Sequence, residues 1–217
     1  IEWIYFEGGE PFLQYALLKK GVRRAAALGF RVGLVTNAFW ATDPDCAAGH
    51  LREFEGLVQD LTVSMDDYHG DSHMHECGRR ALQAARTLGI PTDVIEVDAL
   101  DAVVSPGKEG EQGESNLMFR GRAAARLARE AKEHPGTCFD CCPWEDLSDP
   151  GRVHLDPLGW VHVCQGITIG NFLEQSLSDI LQAYDPQAHP VVGPLLEGGP
   201  TELANRLDVG IEGGYAD

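Results

Sequence analysis

The fold is decided by a strand and turn whose residues read Glu2-Trp3-Ile4-Tyr5-Phe6-Glu7-Gly8-Gly9-Glu10-Pro11. An aromatic, β-branched run of this kind is typical of a short strand, and the glycines and proline behind it indicate a turn into a helix. Similar runs recur at Arg31 to Thr36, Leu61 to Met65 and Thr92 to Val97. Because their spacing of about 30 residues is the length of one strand plus one helix, the sequence predicts repeated βα units.

Helical patterns fill the segments between these strands. Pro11 and the pair Asp43-Pro44 can begin helices, and Gly29 can end one. The apolar residues at helical spacing are Phe12, Leu13, Leu17, Ala25, Leu28, Ala47, Leu51, Phe54, Met74, Cys77, Ala81, Ala85 and Leu88. The alternation predicts an α/β fold with a parallel sheet, either a barrel or an open doubly wound sheet. Further on, Ser105 to Asn116 is typical of an exposed loop and Phe119 to Glu133 of a helix.

Polar residues follow the first three predicted strands, in Glu7 to Pro11, Thr36 to Phe39 and Ser64 to His69. The carboxyl ends of parallel strands meet at one edge of a sheet, where such folds bind their ligands. Any one of these loops could serve only to turn the chain, and Glu10 could serve only to cap a helix. Three in succession favour a binding site, in which adjacent glycines admit a ligand to the backbone and Glu10 suits an ammonium group.

The composition excludes several classes of protein. With 17 Lys and Arg against 34 Asp and Glu, the formal net charge is −17 at pH 7. Because this charge repels a phosphate backbone, we expect no nucleic-acid partner. No apolar run reaches the roughly 18 to 20 residues of a membrane span, so we expect no membrane association. Six cysteines are too few for a disulfide scaffold in this chain, which favours a reducing, cytoplasmic environment.

Four of the cysteines are grouped in the later part of the sequence. Cys138, Cys141 and Cys142 lie in one turn, and a hairpin turning at Pro157 to Gly159 would return Cys164 to them. Such spacing suits either an iron–sulfur cluster or structural zinc. The zinc ligands would be Cys138, Cys141, Cys164 and either Cys142 or His162. A non-catalytic iron–sulfur or zinc module is therefore one hypothesis for the function.

A metal-dependent hydrolase on a βα barrel is another hypothesis. It rests on a crowd of acids and histidines after the third strand, namely Asp66, Asp67, His69, Asp71, His73 and His75. His69 and His73 lie four residues apart and could share a metal ion with Asp66. The same residues equally suit a solvated helix start with acids at its positive end.

Short motifs of this chain resemble those of a known enzyme family. Phe6 to Pro11, Val35 to Asn37 and Val63 to His69 are similar to the ends of the second, third and fourth strands of radical S-adenosylmethionine (radical SAM) enzymes. The cysteine segment, with Gly159-x4-Cys164, resembles the opening of the SPASM or twitch auxiliary-cluster module often found behind that barrel. The resemblance implies a partial parallel (βα) barrel at residues 1–136 and a small cysteine-rich iron–sulfur module at residues 137–217.

The resemblance also implies roles for individual residues. Gly8, Gly9 and Glu10 would hold the amino end of the methionine moiety of S-adenosylmethionine. The residues expected along the cofactor and substrate are Thr36, Asn37, Ser64 and Asp66. The expected ligands of an auxiliary [4Fe–4S] cluster are Cys138, Cys141, Cys142 and Cys164. Gly121-Arg122-Ala123 is similar to a stretch late in such barrels, but no role follows for it.

The chain departs from the family at its defining motif. Radical SAM enzymes hold the catalytic cluster on a Cys-x3-Cys-x2-Cys loop ahead of the Gly-Gly-Glu strand, and the 217 residues contain no such loop. We expect this loop one βα unit before Ile1 in a longer protein. The intact enzyme would then generate a 5′-deoxyadenosyl radical and abstract hydrogen from a small-molecule or peptide substrate, with flavodoxin or ferredoxin as electron donor.

Overall fold

The computed structural model describes residues 1–65, 72–96, 122–142, 145–211 and 214–215. The chain divides into two compact units, Ile1–Asp98 and Ala99–Asp217. The domain boundary predicted after residue 136 falls inside the second unit and stays a prediction. The loop predicted at 105–116 and several candidate residues lie outside the described ranges, namely Asp66, Asp67, His69, Asp71 and Gly121.

The first unit alternates strands and helices as the sequence predicts. Its strands are β1 (Trp3–Phe6), β2 (Arg31–Thr36), β3 (Asp60–Ser64) and β4 (Thr92–Ile95). Its helices are α1 (Tyr15–Ala27), preceded by a 3-10 turn (Pro11–Gln14), α2 (Pro44–Arg52) and α3 (Ser72–Thr87). The strands are parallel and hydrogen bonded in the order β1-β2-β3-β4. The predicted parallel α/β sheet is confirmed.

Helix ends in this unit follow from the residues found there. Asp43 caps α2, because its Oδ1 accepts the Cys46 N–H at 2.8 Å and Pro44 takes the first helical position. The hydrogen bonds from Cys46 lower the pKa of the Asp43 carboxyl. Gly29, with φ of +88°, lies just after α1 and turns the chain into β2. The predicted starts and stops therefore have a direct local cause.

The helices of this unit pack against one face of the sheet. The apolar residues joined in this core are Val32, Leu34, Leu61 and Val63 of the strands, Leu18, Val22 and Ala25 of α1, Ala47 and Leu51 of α2, and Cys77, Ala81 and Ala85 of α3. Right-handed crossovers that add each strand in the same direction put every helix on the same side. The described strands are therefore singly wound, which excludes the doubly wound alternative for them. Closure into a barrel stays a prediction.

The second unit is built around small antiparallel sheets. Its elements are α4 (Arg122–Arg126), β5 (His134–Pro135), β6 (His154–Leu155), β7 (Trp160–Cys164), β8 (Ile167–Asn171), α5 (Leu177–Ala183), α6 (Val192–Arg206) and β9 (Gly214–Tyr215). β6, β7 and β8 pair in that order, and β5 pairs with β9. The turn between β6 and β7 covers residues 156–159, so the predicted hairpin is confirmed.

The helix predicted from Phe119 to Glu133 is shorter in the structure. It ends at Arg126, and residues 119–121 lie outside the described part of the chain. The side chains of residues 124–126 are exposed, and a helix of five residues is marginal in water unless packing supports it. Among the described residues, no helix is long and apolar enough to cross a membrane.

Candidate functional site

The ends of β1 and β2 form one continuous edge. Phe6 is paired with Leu34 in the parallel ladder, so the turn from Glu7 to Glu10 begins beside the residues that end β2. Gly8 and Gly9 have φ of +81° and +57°, which side chains rarely adopt. A Cβ added to either glycine would meet nothing within 4 Å. The turn therefore needs glycine for its backbone shape and leaves open space around that backbone.

Glu10 connects the two strand ends through its carboxylate. Its Oε1 accepts the Thr36 hydroxyl at 2.8 Å and the Phe12 N–H at 3.1 Å. Its Oε2 accepts the Asn37 N–H at 2.8 Å. The bond to Phe12 is the helix cap that the sequence suggested as the simpler role. The bonds to Thr36 and Asn37 show that Glu10 also holds β2 in place.

Thr36 extends this network into the core. Its Oγ1 donates to Glu10 and accepts the Ala38 N–H at 3.0 Å and the Trp40 indole N–H at 3.1 Å. A hydroxyl has one donor and two acceptor sites, so all three are used. Trp40 is 5% exposed and stacks on Phe12 with ring centroids 4.3 Å apart. Sequence reasoning missed Trp40, whose only signal was an indole four residues after a strand-end threonine.

Asn37 and Ser64 are the other predicted members of this edge that the structure describes. Asn37 Oδ1 accepts the Phe39 N–H at 3.0 Å, which closes a turn of the kind that asparagine favours. Ser64 ends β3 and is half-buried. Asp66 lies outside the described residues. The structure thus brings Glu10, Thr36 and Asn37 into direct contact and puts Ser64 at the end of the next strand.

The face of the sheet opposite the helices carries aromatic and charged side chains. Trp3 and Tyr5 stack with centroids 5.5 Å apart, and the Arg31 guanidinium lies 5.5 Å from the Trp3 ring. Tyr5 covers Gly33, where a Cβ would overlap its ring. Desolvation and a hydrogen bond with Asp60 raise the pKa of the Tyr5 phenol. This face offers ring surfaces and charges of both signs.

The acid and histidine cluster of the hydrolase hypothesis is described only in part. His73 Nε2 lies 3.8 Å from Cys77 Sγ, one turn along α3. Cys77 is fully buried in the core of the first unit. Asp66 and His69, which would have to join His73 at a metal ion, lie outside the described residues. The described geometry gives this hypothesis no support.

The four cysteines that are grouped in the sequence all lie in the second unit. Cys138 packs against Phe139, whereas Cys142 packs against the apolar cluster that contains Cys164. Cys164 is 2% exposed, and none of the six cysteines of the chain forms a disulfide. The donor set is therefore chemically suited to a soft metal or an iron–sulfur cluster. In the described part of the chain, no three histidine, cysteine or acidic side chains are grouped so that they could hold a metal ion.

The hairpin that carries Cys164 is fixed by Asp156. Its Oδ1 accepts the N–H groups of Leu158 and Trp160, both at 2.9 Å, and its Oδ2 lies 3.5 Å from His162 Nε2. Although desolvation alone would raise the pKa of the Asp156 carboxyl, these bonds lower it. His162, the alternative zinc ligand, is directed at this carboxylate.

No protein-family model matches the chain, and no curated protein matches its sequence. The likeness to radical SAM enzymes therefore rests on the short motifs at the strand ends and in the cysteine segment. Membership of that family stays a prediction.

We expect Thr36→Val to lower the free energy of unfolding of the first unit by about 2 kcal/mol, because the buried N–H groups of Ala38 and Trp40 lose their acceptor. Denaturant titrations followed by circular dichroism measure this loss. Thr36→Ser keeps the hydroxyl and should lose much less. An equal loss in both variants would contradict the role of the hydroxyl.

Asp156→Asn should change the acid sensitivity of the second unit. A carboxyl whose pKa is lowered on folding stabilises the protein above its unfolded pKa, and that contribution disappears as the pH falls through the folded value. Wild type should therefore exceed the variant in melting temperature at about pH 5, and the gap should shrink towards about pH 3. Asparagine keeps the Oδ1 acceptor for the turn. A difference in melting temperature that stays the same from about pH 5 to about pH 3 would contradict the link between the Asp156 pKa and stability.

Proposed function

We propose that the chain is the cofactor-binding part and auxiliary-cluster module of a radical SAM enzyme. The observation that carries the proposal is the Gly8-Gly9-Glu10 turn, whose carboxylate is bonded to Thr36 and Asn37 on the next parallel strand. The singly wound order of the strands is compatible with part of a barrel. Motifs at three successive strand ends and a cysteine segment behind them match the order found in that family.

The turn residues would share the recognition of the amino-acid end of S-adenosylmethionine. Gly8 and Gly9 leave open space beside the backbone. Glu10 already accepts three hydrogen bonds, and a carboxylate offers about four acceptor sites. One site thus remains for an ammonium group, while the other bonds orient the carboxylate. The orientation of the Glu10 carboxylate would therefore contribute to binding of the ammonium group, in addition to its negative charge.

The chemistry would come from the bound cofactor. When bound beside a reduced [4Fe–4S] cluster, S-adenosylmethionine would supply a 5′-deoxyadenosyl radical for hydrogen abstraction, with methionine as the other product. The 217 residues contain no Cys-x3-Cys-x2-Cys, so they would not themselves hold that cluster. The electron would come from a flavodoxin or ferredoxin, in the reducing cytoplasm.

The substrate would bind at the sheet face opposite the helices. In a barrel, residues of that face line the interior. Stacked Trp3 and Tyr5, with Arg31 beside them, would suit a small molecule or a peptide that carries a planar or acidic group. Ser64 would extend this surface at the end of β3.

The cysteine module would bind an auxiliary [4Fe–4S] cluster through Cys138, Cys141, Cys142 and Cys164. Anaerobic reconstitution of the chain with iron and sulfide should then give equal amounts of both, matching one cluster per chain, with the visible absorbance of an iron–sulfur centre. Cys138→Ser should greatly reduce this incorporation. The matched control is Cys46→Ser, a half-buried cysteine on α2 in the other unit.

Zinc bound in place of iron, without cluster absorbance, would favour the non-catalytic zinc module instead. Equal incorporation in Cys138→Ser and wild type would contradict the assignment of the ligands.

A further inference from the structure

We propose that a kink in α6 is the positioning element for the cysteine turn, through Gly199 and Thr201. This turn runs from Cys138 to Cys141, and the kink would hold its backbone in the shape that lets the thiols reach a metal centre. The inference rests on the auxiliary metal centre of the proposed function. It assigns a role to residues that are far from the cysteines in sequence.

The backbone of α6 touches the backbone of the cysteine turn at Gly199. The helix is interrupted there, and Gly199 has φ of +65°, which favours glycine. A Cβ at this position would overlap the backbone nitrogen of Cys141 and would lie 2.7 Å from the carbonyl oxygen of Phe139. Both are main-chain atoms, which move only if the turn itself moves. Glycine therefore satisfies a local conformational need and a close approach at once.

Thr201 ties two carbonyl groups of the same turn to the kink. Its hydroxyl lies 2.6 Å from the Gly136 carbonyl oxygen and 2.9 Å from that of Phe139, so its one proton is shared between them. Its backbone N–H donates to the Phe139 carbonyl at 3.0 Å. Gly136 begins the 3-10 turn that ends at Cys138, and Phe139 lies between the two cysteines. The kink thus fixes the backbone on both sides of Cys138 and next to Cys141.

The contacts of Gly199 and Thr201 do more than pack a helix, because they hold the backbone segment that separates the candidate ligands Cys138 and Cys141. Cys138 and Cys141 are half-buried, and their backbone is held by contacts that do not involve the thiols. A turn whose backbone is already held loses less conformational entropy when its thiols bind a metal than a turn that must first be ordered. Residues that orient metal ligands in this way typically change metal affinity by about 10- to 100-fold when replaced.

The test is a titration of the full 217-residue chain with Co²⁺ under anaerobic conditions. The readout is the thiolate-to-cobalt charge-transfer absorption, which is independent of any enzymatic activity. We expect Gly199→Ala and Thr201→Val to bind Co²⁺ about 10- to 100-fold more weakly than wild type. Thr201→Ser restores the hydroxyl and should bind close to wild type.

Two substitutions in the same unit serve as matched controls. Gly151→Ala adds a Cβ where nothing lies within 4 Å, and Thr168→Val removes an exposed hydroxyl on β8. Both should bind Co²⁺ like wild type. Circular dichroism checks that each variant is folded, and if Gly199→Ala is not, the comparison of Thr201→Val with Thr201→Ser decides the matter.

Equal Co²⁺ affinity of wild type and Thr201→Val would overturn the positioning role while leaving the metal centre intact. Equal weakening by Thr201→Val and Thr168→Val would overturn it as well, since any loss of a threonine would then suffice. If wild type itself binds no Co²⁺, the metal centre fails and this inference fails with it. These three outcomes are distinguishable in one set of titrations.

Discussion

The first unit depends on the carboxylate of Glu10. Parallel strands leave their ends as separate loops, and here one side chain joins two of them by accepting from Phe12, Thr36 and Asn37. Hydrogen bonds to a charged acceptor contribute about 1.5 to 3 kcal/mol each, more than ordinary ones. Because Thr36 in turn holds buried Trp40, the edge that would meet a ligand is bonded directly to the core. An edge supported in this way has its shape fixed by contacts within the protein.

The second unit fixes the turn from Cys138 to Cys141 by the same principle but with different groups. Main-chain contact at Gly199 and the hydroxyl of Thr201 hold the backbone around Cys138 and Cys141, and Asp156 fixes the hairpin that carries Cys164. In the second unit these supports are not thiols themselves, whereas in the first unit Glu10 both supports the strand ends and keeps one acceptor site open. Substitutions at the supporting groups should therefore change function as well as stability.

The strands and helices of the first unit could be predicted from the sequence, because apolar spacing and residues such as Pro44 and Gly29 act locally. The hydrogen-bond partners of Glu10 could not, since they depend on the register that pairs Phe6 with Leu34. Gly199 and Thr201 gave no signal because the turn they hold lies far away in the sequence. The cysteine spacing predicted a common centre, whereas the structure puts Cys138 and Cys142 in different apolar clusters.

A double-mutant cycle tests the central role of Glu10 most directly. The free energy of unfolding is measured for wild type, Glu10→Ala, Thr36→Val and the double variant. Residues bonded in one network should show a coupling energy of about 0.5 to 3 kcal/mol, whereas Glu10→Ala combined with Thr87→Val on α3 should be additive. Additivity of Glu10→Ala and Thr36→Val within about 0.5 kcal/mol would contradict the account, because the two strand ends would then be held independently.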